Sequence, residues 1–217
     1  GFKEDVRAIL PEIRKVVAEA EGLLLKNRIF LDRTQGIGKL SKERALALGV
    51  TGPMLRSTGV SYDVRKDHPY SLYDRFDFDV PVGTDGDNWD RFMVRMEEIR
   101  QSMRIIEQAL EQMPDEGPIN VEDPRIMLPP KREVYSTIEA TIAHFKLVME
   151  GMKPPKGRVY SMVEGGNGEL GFHITSDGSG TPYRIRVRPP CWYNLQAARE
   201  MLIGDMIADI VPTFGSV

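Results

Sequence analysis

The chain has 217 residues, 41% hydrophobic and 28% charged, an ordinary globular balance with enough apolar material for a core. Lys plus Arg is 29 and Asp plus Glu is 32, so the net charge of −3 excludes a bulk electrostatic grip on nucleic acid. The single cysteine, Cys191, excludes an internal disulfide, a CxxC redox pair and a thiolate-built iron–sulfur or zinc site.

No apolar run approaches the roughly 18–20 residues of a membrane span. Lys3, Glu4 and Asp5 follow Phe2 at once, so no signal peptide is expected. A start at Gly1-Phe2 in place of Met is what a fragment or trimmed product would show.

Val6, Ile9, Leu10, Ile13, Val16, Val17 and Ala20 recur at helical spacing, which predicts a first helix over 5–27 that begins or kinks near Pro11. Ser41 and Gly49 then bracket a short helix over 42–48. Residues 50–87 read as irregular except for 75–82. There Phe76, Phe78, Val80 and Val82 alternate with Asp77 and Asp79, predicting a strand that Pro81 confines to an edge.

Asp87 is a cap for a second long helix over 89–113. Phe92, Met93, Met96, Ile99, Met103, Ile106 and Leu110 form its core stripe, and Arg95, Glu98, Arg104, Glu107 and Glu111 its polar face. Residues 114–130, with Pro114, Pro118, Pro124, Pro129 and Pro130, predict a loop. A third helix over 131–150 follows. Three short strands are expected at 158–163, 169–176 and 182–188, joined by Glu164-Gly165-Gly166-Asn167-Gly168 and Asp177-Gly178-Ser179-Gly180 turns. A last helix covers 195–211. The fold class is therefore α+β, mainly long helices with a small antiparallel meander. One fragmentary domain is expected, with 1–156 helical, carrying extended loops near 50–87 and 114–130, and 157–217 a meander followed by a C-terminal helix.

Catalytic motifs do not emerge. His68, His144 and His173 are scattered without HxxxH or HExxH spacing, so no metal site is expected. No GxSxG elbow, P-loop or GxGxxG fingerprint occurs, and Gly165–Gly168 reads as a hairpin turn and not an anion cradle. Arg184, Arg186 and Arg188 alternate with Ile185 and Val187, placing three guanidiniums on one strand face. A solvated face is the simpler reading and an acidic partner surface the alternative. Arg65 and Lys66 beside Asp63 and Asp67 read as local ion pairs of little weight.

Several blocks in order resemble the C-terminal half of the D-type subunit of NADH-quinone oxidoreductase, the quinone-pocket component of respiratory complex I. They are Gly52-Pro53-Met54-Leu55-Arg56 with Gly59-Val60, Asp63-Val64-Arg65-Lys66, Phe76 to Gly83, Arg95 to Ser102, Pro129-Pro130-Lys131-Arg132, Gly168-Glu169-Leu170-Gly171, Pro182-Tyr183-Arg184 and Asp209-Ile210-Val211. The resemblance runs from Leu31 to the end and implies a fold like the large subunit of nickel–iron hydrogenases. A thiolate-bridged nickel–iron centre needs four thiolates and this chain offers Cys191 alone, which favours the quinone-reducing branch. Two places depart from the family's pattern: Gly166-Asn167-Gly168 replaces a common Pro-Lys/Arg-Gly, and Gly204-Asp205-Met206 replaces a frequent Gly-His-Met.

The resemblance implies a scaffold and quinone-cavity wall within a translocase that passes electrons from NADH to quinone. No catalytic, cofactor-binding or metal-binding residue is expected in this segment, since the family's headgroup-binding His and Tyr lie further toward its N-terminus. The family's acidic–arginine terminus, which borders the cavity, lies a few residues past Val217. Quinone is expected at the junction with the iron–sulfur subunit carrying the terminal cluster. NADH, flavin and iron–sulfur clusters are expected in partner subunits of the peripheral and membrane arms. The location implied is peripheral, on the cytoplasmic face of the bacterial membrane. Arg56 and Gly59, in a compact glycine-bounded loop, and Asp209 and Gly215, near the C-terminal end, are the cavity-wall or partner-interface candidates. The alternatives are a fragment of a hydrogenase-type large subunit or related membrane-bound oxidoreductase, and an unrelated helical adaptor.

Overall fold

The structure is a computed structural model that describes residues 1–118, 120–123 and 125–217. It is α+β, as the residue patterns predict, and the chain divides into two compact units. The first comprises 1–113, 162–170 and 189–217; the second comprises 114–161 and 171–188.

The first unit is organised by two long helices. Helix α1 (Phe2–Leu24) continues without interruption past Pro11, and α2 (Arg28–Asp32) restarts the chain under an Asn27 side-chain cap. Helix α3 (Lys42–Ala47) has the expected Ser41 cap. Two one-turn helices follow, α4 (Pro53–Arg56) and α5 (Val64–Asp67). Helix α6 (Asn88–Gln112) begins at Asp87, whose Oδ1 accepts from the Asp90 amide at 2.8 Å while Oδ2 accepts from the Gly36 amide at 2.8 Å. One carboxylate thus caps a helix and pins a distant loop. Asp87→Ala is expected to cost about 1–2 kcal/mol in a urea melt, the usual loss for an N-cap, and an unchanged midpoint would refute that role. Leu40, Ala45, Val50, Met54, Leu55, Ala197, Ala198 and Met201 form the core cluster.

The expected strand at 75–82 is not one. Residues 76–82 form no strand, and side chains of α6 supply hydrogen-bond partners to their backbone. The Asp77 and Asp79 amides donate to Gln108 Oε1 and Gln101 Oε1 at 2.8 and 3.1 Å, and Gln108 Nε2 donates back to the Asp77 carbonyl. Arg104 pairs with Asp77 and Asp79. The alternation still sorts the faces: Phe78 is buried while both aspartates are exposed.

The last helix is also corrected. In place of one helix over 195–211 there are α9 (Pro190–Gln196), α10 (Ala198–Leu202), a 3-10 turn over Ile207–Asp209 and α11 (Ile210–Gly215). Gly204, at φ +101°, takes a conformation that helical L-residues avoid, and it breaks the run.

In the second unit the expected helix over 131–150 is two, α7 (Lys131–Val134) and α8 (Ile138–Met149). Thr137 is extended and caps α8 through the Ala140 amide. Among the described residues of the 114–130 loop none lies in a helix or strand; Pro124 lies outside the described residues. The meander is as expected: β1 (Gly157–Gly165), β2 (Gly168–Ser176) and β3 (Arg184–Arg188) in the order β1-β2-β3, with a two-residue turn at Gly166-Asn167; its residues 162–170 belong to the first unit. Strands β2 and β3 are antiparallel, with His173 opposite Arg186 and Thr175 opposite Arg184.

Candidate functional site

The distinctive chemistry of the first unit begins at Gly52. Its φ of +70° suits glycine, and a Cβ there would lie 2.5 Å from Gly168 Cα. This close approach docks the hairpin turn against the start of α4, with Pro53 at the first helical position. Further bonds hold the dock. Asn194 Nδ2 donates to the Asn167 carbonyl, its Oδ1 accepts from the Thr51 amide, and the Glu169 amide donates to Thr51 Oγ1. The neutral side-chain amide of Asn167 donates to Cys191 Sγ at 3.1 Å.

With the hairpin fixed, Glu164 reaches the guanidinium at the end of α4. Arg56 is 1% exposed. Its Nε donates to Glu98 Oε1 at 2.7 Å, and its Nη1 donates to Glu164 Oε1 at 2.9 Å and to the Tyr62 carbonyl at 2.8 Å. Asp63 Oδ2 lies 3.9 Å away. Asp63 is held bidentately by Arg65 at 2.9 and 2.6 Å and caps α5. Glu164 Oε2 accepts from the Val64 amide at 3.1 Å. Tyr62 donates its hydroxyl to Glu169 at 2.8 Å. Arg95, close enough to Glu98 and Arg56 to feel both charges, completes the group. Arg56, Arg65 and Arg95 balance Asp63, Glu98 and Glu164.

Such a group has to be complete, because a buried ion without its partner costs several kcal/mol. Among the described residues no buried side-chain nitrogen or oxygen lacks a hydrogen bond. The titration behaviour follows from burial and pairing. Burial pushes the Glu98 and Glu164 carboxyls above their ordinary range, and Arg56 only partly offsets it. Burial would raise Asp63 too, but Arg65 and then Arg56 outweigh it and hold it low. Burial and the neighbouring Glu169 carboxylate raise the Tyr62 phenol. The sequence reading of Arg65 and Lys66 as local ion pairs of little weight holds for locality, since Arg65 pairs with Asp63 two residues away, and is corrected in weight for Arg65 alone, Lys66 being exposed. Arg65 belongs to the buried group and lies 5.0 Å from the Phe78 ring, with Lys66 Nζ at 4.4 Å from the same ring. Glu98 is likewise no member of a solvated helix face.

Arg56 and Gly59 share one turn, the Gly59 amide donating to the Arg56 carbonyl at 3.1 Å. Gly59 is exposed while Arg56 is not. Asp209 is fully buried; its Oδ1 accepts from Arg33 Nη1 at 2.8 Å and its Oδ2 from the Met206 amide. Gly215 is exposed and lines a pocket of about 200 Å³ with Phe30, Phe92, Arg95 and Pro212. The two pairs are not brought into one pocket. They meet the same helix: Glu98 of α6 binds Arg56, and Arg95 donates to the Val217 carbonyl at 3.0 Å.

Sequence reasoning missed Arg91. It is fully buried, and its Nε, Nη1 and Nη2 donate to Ser216 Oγ, the Gly86 carbonyl, the Gly38 carbonyl and Asn88 Oδ1 at 2.9, 2.8, 2.7 and 2.5 Å. Asn88 Nδ2 donates to Thr213 Oγ1. Burial without a hydrogen-bonded carboxylate pulls its guanidinium down to about 10. The one signal available was Asn88, Arg91 and Arg95 at spacings of three and four, a polar stripe on a helix rich in apolar residues. Asp205 Oδ2 accepts from the Gly38 amide at 2.8 Å. Among the described residues no three His, Cys, Asp or Glu side chains stand together to hold a metal ion, and no helix is long and apolar enough to cross a membrane.

Residues 1–217 match the family described as respiratory-chain NADH dehydrogenase, 49 Kd subunit. The chain belongs to that family. It is 66% identical to a D-type subunit of NADH-quinone oxidoreductase from Sorangium cellulosum (strain So ce56) over 216 residues, which is 100% of this chain and 54% of that protein. It is 52% identical to the corresponding NADH-quinone oxidoreductase subunit of Myxococcus xanthus (strain DK1622), covering 100% of this chain and 52% of that protein. It is 48% identical to that of Leptospira biflexa serovar Patoc (strain Patoc 1 / Ames), covering 100% and 53%. The chain thus spans about half the length of these relatives. The 49 Kd subunit family is the one the Gly52–Val60 and later blocks resemble, and the hydrogenase and adaptor alternatives are not favoured.

Proposed function

We propose that this chain is the scaffold and cavity-wall portion of the 49 Kd subunit in a respiratory NADH:quinone oxidoreductase. In that role it helps shape the place where quinone is reduced while partner subunits hold the NADH site, flavin and iron–sulfur clusters. The observation that carries this is identity of 48–66% along the whole chain to proteins named as one and the same NADH-quinone oxidoreductase subunit. The geometry supports a scaffold role, since the charges of the Arg56 group tie α4, α6 and the hairpin together through hydrogen bonds to side chains and backbone. Arg56 and Asp209 then act as positioning residues. Arg56 holds the loop that presents Gly59 to the iron–sulfur subunit, and Asp209 holds the turns that present Gly215 to the cavity. Docking to the cytoplasmic face of the membrane runs through protein partners, and energy from quinone reduction drives ion translocation elsewhere in the assembly.

The test measures quinone reduction by the isolated 217-residue chain given a chemical reductant, beside the assembled oxidoreductase given NADH. The chain alone is expected to give no turnover and the assembly rapid turnover. Robust turnover by the chain alone would overturn the scaffold reading. Recovery of the protein without iron–sulfur and flavin partners would point to an adaptor instead.

A further inference from the structure

The second unit carries a charged surface that the scaffold reading does not use. Arg158 of β1, His173 and Thr175 of β2, and Tyr183, Arg184 and Arg186 at β3 line a concavity of about 360 Å³. The register explains the grouping, since His173 faces Arg186 and Thr175 faces Arg184 across the β2–β3 ladder, so all four share one face. The three arginines and Tyr183 are exposed. No acidic side chain lines the concavity, and among the described residues none of these three guanidiniums forms a salt bridge. In a chain of net charge −3, three clustered arginines without a carboxylate form a local concentration of positive charge.

We propose that this face binds an extended acidic polypeptide segment of a partner protein. The argument is charge complementarity with a matching repeat. Arg184 and Arg186 are two residues apart on one strand, a spacing of about 6.6–6.8 Å, and an extended chain repeats its same-side carboxylates at that interval. Arg158 enters from another strand and widens the positive area beyond what one small anion covers. Guanidinium forks bind carboxylates bidentately and lose less on desolvation than ammonium groups, which suits them to a protein interface. Tyr183, at the rim, offers a flat surface for the backbone or an apolar neighbour. Lipid headgroups carry no fixed repeat along a strand. This proposal concerns a different unit from the Arg56 group and stands whether or not the quinone-wall reading does.

The test uses fluorescence anisotropy with the 217-residue chain and two labelled peptides of one composition, Asp-Thr-Asp-Thr-Asp and Thr-Thr-Asp-Asp-Asp. The alternating peptide is expected to bind more tightly, to weaken as salt rises, and to lose about tenfold with Arg184→Gln plus Arg186→Gln. The Lys pair at the same positions is expected to fall between, since it keeps charge and loses the fork. Arg158→Gln, on a different strand, repeats the test should the double variant fail to fold. Equal affinity for the two peptides would overturn the proposal, as would equal binding by wild type and Gln variants. Inorganic phosphate at equal concentration displacing the peptide fully, or tighter binding to phosphatidylserine vesicles, would overturn it in favour of a small anion or a membrane.

Discussion

Arg56→Ala is expected to lower the stability of the chain by about 3–5 kcal/mol at neutral pH, the range for removing one partner of a buried ion pair. The substitution leaves the largely buried Glu98 and Glu164 without their shared guanidinium, and it strips the Tyr62 carbonyl of a donor. The pH dependence separates this from a simple packing loss. In the wild type burial already holds both glutamates above their ordinary 4.5. A carboxyl whose folded value is raised contributes stability that is complete below its unfolded value and is lost as pH rises through the folded one. Losing Arg56 raises both folded values further. The deficit of the variant should therefore be smallest below the ordinary 4.5 and grow toward neutrality, measured as urea midpoints across that range. A deficit independent of pH would show that ionised carboxylates are not its cause. Replacing all three residues by apolar ones of similar volume, as Arg56→Met with Glu98→Leu and Glu164→Leu, is expected to recover much of the loss, because desolvation of the ions is avoided.

The second large effect is at Arg91. Removing its side chain leaves the Gly38 carbonyl and Ser216 Oγ without their buried donor, takes one of two donors from the Gly86 carbonyl, which keeps the Leu40 amide, and from Asn88 Oδ1, which keeps the Ser216 hydroxyl, and opens a void where a fully buried side chain stood. Arg91→Ala is expected to cost on the order of 3–5 kcal/mol, since each unsatisfied buried group costs about 1–3 kcal/mol and some are rescued by water. Arg91→Lys should restore less than half of that, because one ammonium cannot reach acceptors spread around a planar fork. The local sign would be faster hydrogen exchange at the Thr213 and Ser216 amides than at those of α3. Unchanged exchange there would mean that the C-terminal turns are held by something other than Arg91.

Most of the regular structure was legible because its signals are local. Asp87 and Pro114 bracket α6, Ser41 and Gly49 bracket α3, and Gly166-Asn167 closes the hairpin; each is decided by residues next to the element. The 75–82 segment shows where local reading stops. Its alternation correctly buried Phe78, yet alternation says nothing about which hydrogen-bond partner is available, and two glutamine side chains on α6 took the place of a neighbouring strand. Thr137 and Gly204 are single breaks inside otherwise helical patterns, and period counting averages over them.

The candidate site was legible only in part. Arg56 stood out in a glycine-bounded loop, but its partners come from α6 and from the hairpin, 42 and 108 residues away in sequence. Glu98 and Arg91 carry formal charge, so helical patterning assigns them to water. Only tertiary pairing makes their burial tolerable.

The Arg56 group and the C-terminal turns are fastened to successive turns of one helix, at Arg91, Arg95 and Glu98. A helix is stiff along its axis and rises only about 1.5 Å per residue, so these anchor points cannot slide past each other. Both attachments thus share one frame, and the spacing between the Gly59 loop and the C-terminal turns is set by the length of α6 that separates their anchors.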